Sequence, residues 1–388
     1  MAFVLSAEPL LLENLEKIFR EKPLLEISPD LLEKIKGFNN QVKPTDNATA
    51  EAFLGAHAFS FGPAVPEPVT RLALVLQLYT LLLPVNQPFQ PETLQRILAF
   101  YNREVWPVVH EQALPVSQLT QLCLPLFGQG KVSFQGYELN AADVMDIFSW
   151  SSLSLSSREV HKFVEQNTFT YAYLLYNLFQ LQPLLTWLEY LIQVFDQISS
   201  DQPESLPIEW KRLAEAVKAT SQSIQFNYSL PFERQDLTNV RESVLDLLQV
   251  LIKVMAAVTD LTSETFENLV STSEPPATTS FNLSSDLGQS LLKELKLTIA
   301  NPTDTIILNK DMRILHHEFA EAIKLTEQII ALAFWSVTQV GKVFTITAGN
   351  LTLSAYYHST FFVPKETVSD QLEKTINFIR ITSPAPLT

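Results

Sequence analysis

Apolar residues recur along this chain every three to four positions, the spacing at which one face of an α-helix is buried. Leu10, Leu11, Leu15 and Phe19 set the pattern near the start. Ser28-Pro29-Asp30 opens a second helix, with serine as N-cap, proline as first helical residue and Leu31, Leu32 and Ile35 as its apolar face. The polar stretch 43–50 (KPTDNATA) reads as a loop. Residues 72–83 predict a buried helix that Pro84 ends, and 91–101 a helix with Glu92 near its positive end. The apolar run 116–127 predicts another, with Gly128 and Gly130 after it. Residues 131–139 (KVSFQGYEL) alternate around Gly136, which predicts a short β-hairpin.

The helical spacing resumes at 141–148 and then over 157–197, a long and aromatic stretch. Residues 199–207 (SSDQPESLP) read as a surface loop, and 237–259 and 312–340 as long helices. The segment 271–285 (STSEPPATTSFNLSS) is the strongest linker signal, and the tail from Ser383 is expected to fray. There is no internal repeat. The pattern predicts an all-α protein of long antiparallel helices forming a central bundle, with one short β-hairpin. Residues 1–140 are expected to form an N-terminal helical part carrying that hairpin. Residues 141–388 are expected to form the long-helix bundle, with a flexible linker near 271–285.

Composition sharpens this picture. A hydrophobic content of 46% over 388 residues excludes global disorder. With only 9 glycines the chain is poorly suited to phosphate-cradling loops and nucleotide folds. A formal net charge of −15 argues against nucleic acid and against anionic membrane surfaces as partners. The single cysteine, Cys123, precludes an internal disulfide and fits a reducing, cytoplasmic setting. The opening MAFVLSAEPLLLENLEKIF lacks a basic region, so no signal peptide is expected. The most apolar runs are interrupted by proline and polar residues, so no bilayer span is expected.

Catalytic motifs are scarce. The Glu-x-x-His pairs of di-iron bundles are missing, and His317 with Glu321 supplies two ligands, which do not make a metal site. There is no Gly-x-Ser-x-Gly elbow, and Cys123 sits in an apolar run where a thiol is inert core. The aromatic residues between Phe163 and Trp187 have helical spacing and read as core. Two polar spots interrupt apolar surroundings: His110-Glu111-Gln112, and the set Glu159, His161 and Glu165. Structural pairing and a retained pocket both account for them.

Several stretches, in order, resemble the histidine and phenylalanine ammonia-lyase family, whose members build an electrophilic methylidene-imidazolone from an internal Ala-Ser-Gly. Residues 24–42 are similar to the family's opening helix. Residues 56–75 resemble its Ser-His-Ala-x-Gly-x-Gly segment and the helix after it. Residues 91–112 look like the stretch leading into the cofactor loop, and 119–136 like the segment following it. Residues 158–168 fall where the family has Lys-Glu-Gly-Leu-Ala-Leu-x-Asn-Gly-Thr, and Gln235-Asp236 with Arg241 match its Gln-Asp-x-Tyr-Ser-x-Arg. Asn301-Pro302 resembles the anchor of a later core helix.

The chain also departs from the family at the positions that carry its chemistry. Between Gln112 and Leu119 it has only Ala113-Leu114-Pro115-Val116-Ser117-Gln118, where the family has Gly-Ser-x-Gly-Ala-Ser-Gly-Asp. The interval from Val42 to Ala56, where the family's catalytic tyrosine loop belongs, contains no tyrosine. Glu165 replaces the amine-binding asparagine, Thr238 the tyrosine of Gln-Asp-x-Tyr, and Gly55 an arginine, whereas His57, Gln235 and Arg241 are kept.

The resemblance implies the long-helix fold of the ammonia-lyases and aspartases, and a homo-oligomer, tetramer or dimer, with sites built by several chains. The departures imply no methylidene-imidazolone, and no other cofactor or metal is expected. Three functions follow. The first is a pseudoenzyme that binds or scaffolds, assembling with itself or with a related intact enzyme. The second is a cofactor-free enzyme using the old pocket for acid/base chemistry on a small molecule, with His57, His110, Glu111, His161 and Glu165 as catalytic candidates and Gln235 and Arg241 holding substrate. The third is a true ammonia-lyase. On the second reading His57, His161, Glu165 and Arg241 are expected to converge.

Overall fold

The computed structural model describes residues 2–39, 47–83, 89–151, 153, 156–198, 205–230, 234–270, 277–299, 312–344, 352, 355–356 and 367–384. By its contacts the chain divides into two compact units, Met1–Tyr176 with Ser221–Leu237, and Asn177–Thr220 with Thr238–Thr388. The division read from the sequence at residues 140 and 141 falls inside the first unit.

The first unit begins with β1 (Phe3–Leu5), α1 (Leu12–Glu21), β2 (Leu25–Ile27) and α2 (Pro29–Asn39). β1 and β2 pair in parallel, and α2 opens on Pro29 as its sequence predicts. Next come α3 (Asn47–His57), β3 (Phe61–Ala64), α4 (Glu67–Leu82) and α5 (Pro91–Asn102). Every residue of α4 from Val69 to Leu82 is buried, so α1, α5 and their neighbours pack around a helix with apolar residues on all sides.

β4 (Val105–Pro107), β5 (His110–Gln112), α6 (Pro115–Cys123), a 3₁₀ turn (Leu124–Phe127), β6 (Lys131–Phe134), β7 (Tyr137–Asn140) and α7 (Ala141–Ile147) follow. The predicted hairpin is β6–β7, turned by Gln135 (φ 51) and Gly136 (φ 82). Two consecutive left-handed residues make the turn whose twist matches the strands, and glycine enters that region without steric cost. α8 (Ser157–Val164) then gives way to α9 (Thr168–Ile198). The break falls at Glu165–Asn167, where Tyr171 N–H bonds the Asn167 carbonyl and begins the new helix.

The second unit holds most of α9, the part of α10 (Ser205–Tyr228) up to Thr220, nearly all of α11 (Leu237–Val270), and α12 (Ala277–Thr298), α13 (Met312–Phe344) and α14 (Val368–Ile381). Trp187 anchors its core. It is fully buried against Phe334, Phe378 and Tyr190, and its indole N–H lies 3.1 Å from the Ile379 carbonyl. Gly288 lets α12 approach closely, since a Cβ there would meet Leu332 and Thr259 side chains at 3.3 Å.

The all-α reading with a short hairpin agrees with these elements, and several details differ. Residues 47–50, read as loop, already belong to α3, and 205–207 belong to α10. Of the expected linker 271–285, residues 277–285 are helical, so α12 begins just after Pro275-Pro276. Residues 271–276, 385–388 and the Asn301-Pro302 anchor lie outside the described residues. The hairpin gains a third strand, β4, and β1–β2 and β3–β5 add two small sheets. Strands of three or four residues are too short to print an alternation in the sequence.

Candidate functional site

The resemblance locates the family's chemistry after β5, so the site is built from there. β3 pairs antiparallel with β5, Phe61 opposite Gln112 and Ala64 opposite His110. Gly62 (φ +80) is required at that crossing, because a Cβ would sit 2.9 Å from the Gln112 side chain. β5 ends at Gln112 and α6 begins at Pro115, so two residues, Ala113 and Leu114, form the whole connection. Ala113 N–H turns back to the Glu111 carbonyl at 3.0 Å, and Leu114 is the extended N-cap (φ −69, ψ 154) that admits proline at the first helical position.

Two buried glutamines fasten α6 to β5. Gln121 Oε1 accepts the His110 backbone N–H at 2.9 Å and lies 3.2 Å from His110 Nδ1. Gln118 Nε2 reaches the carbonyls of His110 and Glu111 at 3.4 and 3.5 Å. His110 and Glu111 are half-buried. The Glu111 charge adds to burial in holding the Tyr173 phenol well above its ordinary pKa.

α3, α6 and α8 pack together and bring two of the candidate histidines to one ring. His57, the last residue of α3, stacks on Phe53 with centroids 4.0 Å apart. His161 of α8 meets the same Phe53 at 4.7 Å. His57 Nδ1 lies 2.8 Å from the Phe53 carbonyl. A carbonyl only accepts, so Nδ1 carries the proton and Nε2 is the basic nitrogen of the neutral ring.

Glu165 and Arg241 are placed differently. Glu165 is the C-cap of α8 with its side chain exposed, and no ion pair involves it among the described residues. Arg241 belongs to the second unit, where its Nε is buried without a hydrogen-bond partner. The expected convergence of His57, His161, Glu165 and Arg241 is therefore not found within one unit. Position along the sequence placed Glu165, but the break before α9 turns it outward.

Gln235 is committed to structure. Its Oε1 accepts from Asn167 Nδ2 at 3.0 Å and Tyr171 OH at 3.3 Å, and its Nε2 donates to the Leu230 carbonyl at 3.1 Å. Glu159, 3% exposed, accepts from the backbone N–H of Gln90 and Ser156 at 2.9 Å each, closing a capping box on α8. Cys123 is fully buried, and burial, with the Glu159 charge adding, pushes its thiol far above the ordinary range. It is core, as the sequence suggests.

Phe53, Gln77, Gln118 and Gln121 were not among the sequence candidates. Gln77 did leave a signal, an uncharged amide inside the apolar run 72–83, whereas Gln118 and Gln121 share α6 with Ser117 and Thr120 and do not stand out. Phe53 left none. Among the described residues no three His, Cys, Asp or Glu side chains are grouped to hold a metal ion, and no helix is long and apolar enough to cross a membrane.

Comparison with known proteins agrees with the resemblance. Residues 13–198 match the model of the family described as aromatic amino acid lyase. Histidine ammonia-lyase of Shewanella oneidensis is 25% identical over 187 residues, 40% of this chain and 36% of that protein. Histidine ammonia-lyase of Staphylococcus aureus is 24% identical over 190 residues, 41% of this chain and 38% of that protein. The matched stretch thus spans less than two fifths of the length of these curated relatives.

Among solved structures, ergothionase of Treponema denticola superposes with a TM-score of 0.75 at 14% identity, covering 98% of this chain and 99% of that one. Tyrosine aminomutase of Streptomyces globisporus gives 0.77 at 12% identity, covering 98% and 97%. Histidine ammonia-lyase of Trypanosoma cruzi gives 0.74 at 12% identity, covering 98% and 93%. At such identities the likeness is one of fold. Over residues 13–198, a little under half of its length, the chain is therefore similar to aromatic amino acid lyases, and its fold is that of the ammonia-lyases and aminomutases.

Proposed function

We propose that this chain does not carry out methylidene-imidazolone-dependent amine elimination and acts instead as a binding or scaffold member of its family. The observation behind this reading is the two-residue connection between β5 and α6. The electrophile is made from three consecutive residues, Ala-Ser-Gly, and only Ala113 and Leu114 lie between Gln112 and the helix. None of the 9 glycines in the chain follows a serine. The residues present do not fit the group. Removing a weakly acidic β-proton and expelling an amine needs an electron sink and a placed base together, and the chain lacks residues to build the sink.

The scaffold role is an assembly with further copies of this chain, as tetramer or dimer, or with a related intact enzyme. The test is direct. Purified protein incubated with histidine, phenylalanine or tyrosine should release no ammonia and form no unsaturated acid, while light scattering should give a multiple of the chain mass. Turnover that co-purifies with this chain and disappears on substituting its own residues would overturn the reading.

A second reading, cofactor-free acid/base chemistry, is favoured by one arrangement. The His57 and His161 rings both pack on Phe53, and the Nδ1 contact to the Phe53 carbonyl leaves His57 Nε2 unprotonated in the neutral ring. It requires a small-molecule reaction that His57→Gln and His161→Gln abolish without loss of helical content.

A further inference from the structure

Away from the β5–α6 connection, the first unit contains a cleft of about 360 Å³ whose lining concentrates positive charge in an acidic chain. Lys22, Arg71 and Arg103 line it, against one carboxylate, Glu104. The net charge of the whole chain is −15, so three cations around one cleft run against the background.

Arg71 is the centre of the argument. It is 4% exposed and forms no ion pair. Its Nη2 donates to the Phe19 carbonyl at 3.1 Å, and its Nε is buried with no partner. Beside it, the Tyr101 hydroxyl is also buried with no partner, and Tyr101 is 5% exposed. The Arg71 charge acts on that phenol, so the two groups are neighbours. Glu67 and Glu104 act on the Arg71 charge, but neither carboxylate lies within ion-pair distance, and a buried guanidinium N–H and a buried phenol that both lack a hydrogen-bond partner are costly unless something fills the need. Both orphan groups are donors, and the complement of two donors on a cationic wall is an anion with acceptor oxygens.

Trp106, Phe134 and Phe148 give the lining flat apolar faces, and Gln135 and Asn102 are its neutral polar residues. Trp106 packs edge-on to Tyr101 at 5.9 Å, and Phe134 edge-on to Phe148 at 5.4 Å. Arg103 lies over the Phe148 ring at 5.6 Å. Asn102 takes no part in recognition, because its amide is engaged on both sides by the Leu25 backbone at 2.8 Å. The cleft volume lies in the range of small-molecule pockets.

We propose that this cleft binds a small organic anion, a carboxylate or phosphate head on a flat aromatic body, with Arg71, Tyr101 and Arg103 holding the head and Trp106, Phe134 and Phe148 the body. It stands apart from the reading of the β5–α6 connection, and either can fail alone.

The test is calorimetric titration of the full chain at low salt with benzoate and, separately, phenyl phosphate, against the neutral isostere benzamide. We expect at least one of the two anions to bind in the millimolar range or tighter, and benzamide about tenfold more weakly or worse. Arg71→Gln removes a buried group and risks the fold. The informative variants are therefore Arg103→Gln at the rim and Tyr101→Phe, which deletes one oxygen. With an unchanged helical spectrum, Arg103→Gln should weaken the anion about tenfold and Tyr101→Phe severalfold. No binding by either anion at millimolar concentration, equal binding of benzamide, or titrations unmoved by both variants would each overturn the proposal.

Discussion

Thr168 donates its hydroxyl to Gln77 Oε1 at 2.6 Å, and both side chains are buried. Gln77 Nε2 in turn donates to the Phe163 carbonyl at 2.9 Å, so one amide of α4 ties together the end of α8 and the start of α9. Thr168→Val keeps the shape and orphans the amide oxygen, which should cost about 1–3 kcal/mol. Gln77→Leu should cost a similar amount, and the double variant clearly less than the sum, because the two changes break one network. Urea unfolding of the four proteins measures this. Strict additivity would mean that the bond is absent in solution.

Cys123 should be silent in the native protein. Burial and the neighbouring Glu159 charge leave almost no thiolate at pH 8. Reaction with an aromatic disulfide reagent should begin only as denaturant unfolds the chain, with the same midpoint as the helical signal. Stoichiometric labelling of folded protein within minutes would contradict that burial.

Alkali should destabilise the fold before it denatures a typical helical protein. Burial pushes the Tyr101 pKa up to about 12, and burial likewise raises Tyr79, Tyr171 and Tyr228. The unfolded value is about 10, so between about pH 10 and 12 the folded chain holds more protons than the unfolded one. The stabilisation is complete below pH 10 and is lost as pH rises through the folded value. Tyr101 alone removes roughly 2–3 kcal/mol once both values are passed. Denaturation midpoints at pH 9, 10 and 11, read beside phenolate absorbance, check the sign. A midpoint that rises with pH would refute it.

In the second unit, two contacts to α14 should differ sharply in weight. Trp187 is fully buried and donates to the Ile379 carbonyl at 3.1 Å, so Trp187→Phe leaves a void and an unfilled acceptor and should cost about 2–4 kcal/mol. Arg380 makes two bonds to Glu327, 2.7 and 2.6 Å, but its side chain is 57% exposed, and Arg380→Ala should cost less than about 1 kcal/mol. Thermal unfolding that ranks the two variants in the opposite order would show that the exposed pair matters more than its exposure implies.

The long helices were legible because their apolar spacing persists over many turns, and the hairpin because Gly136 sits at its turn. The start of α12 was not, since the Ser, Thr and Pro residues there carry the composition of a loop. At the candidate site, the shortened segment between Gln112 and Leu119 could be counted directly. How short it becomes could not, because Pro115 to Gln118 are taken into α6. The meeting of His57 and His161 depends on Phe53, a contact that is not written in local spacing. The outward turn of Glu165 depends on where α8 stops.

α4 has no wet face from Val69 to Leu82, and it lies inside the 13–198 span matched to the family. A segment of that kind offers drift almost no neutral positions, since each exchange opens a void or forces an overlap. Its pace of change is set by packing and is indifferent to whether a reaction still runs a few residues away. Similarity therefore stays readable in such a helix whether or not any reaction is retained around it, and a likeness detected there carries no information about turnover.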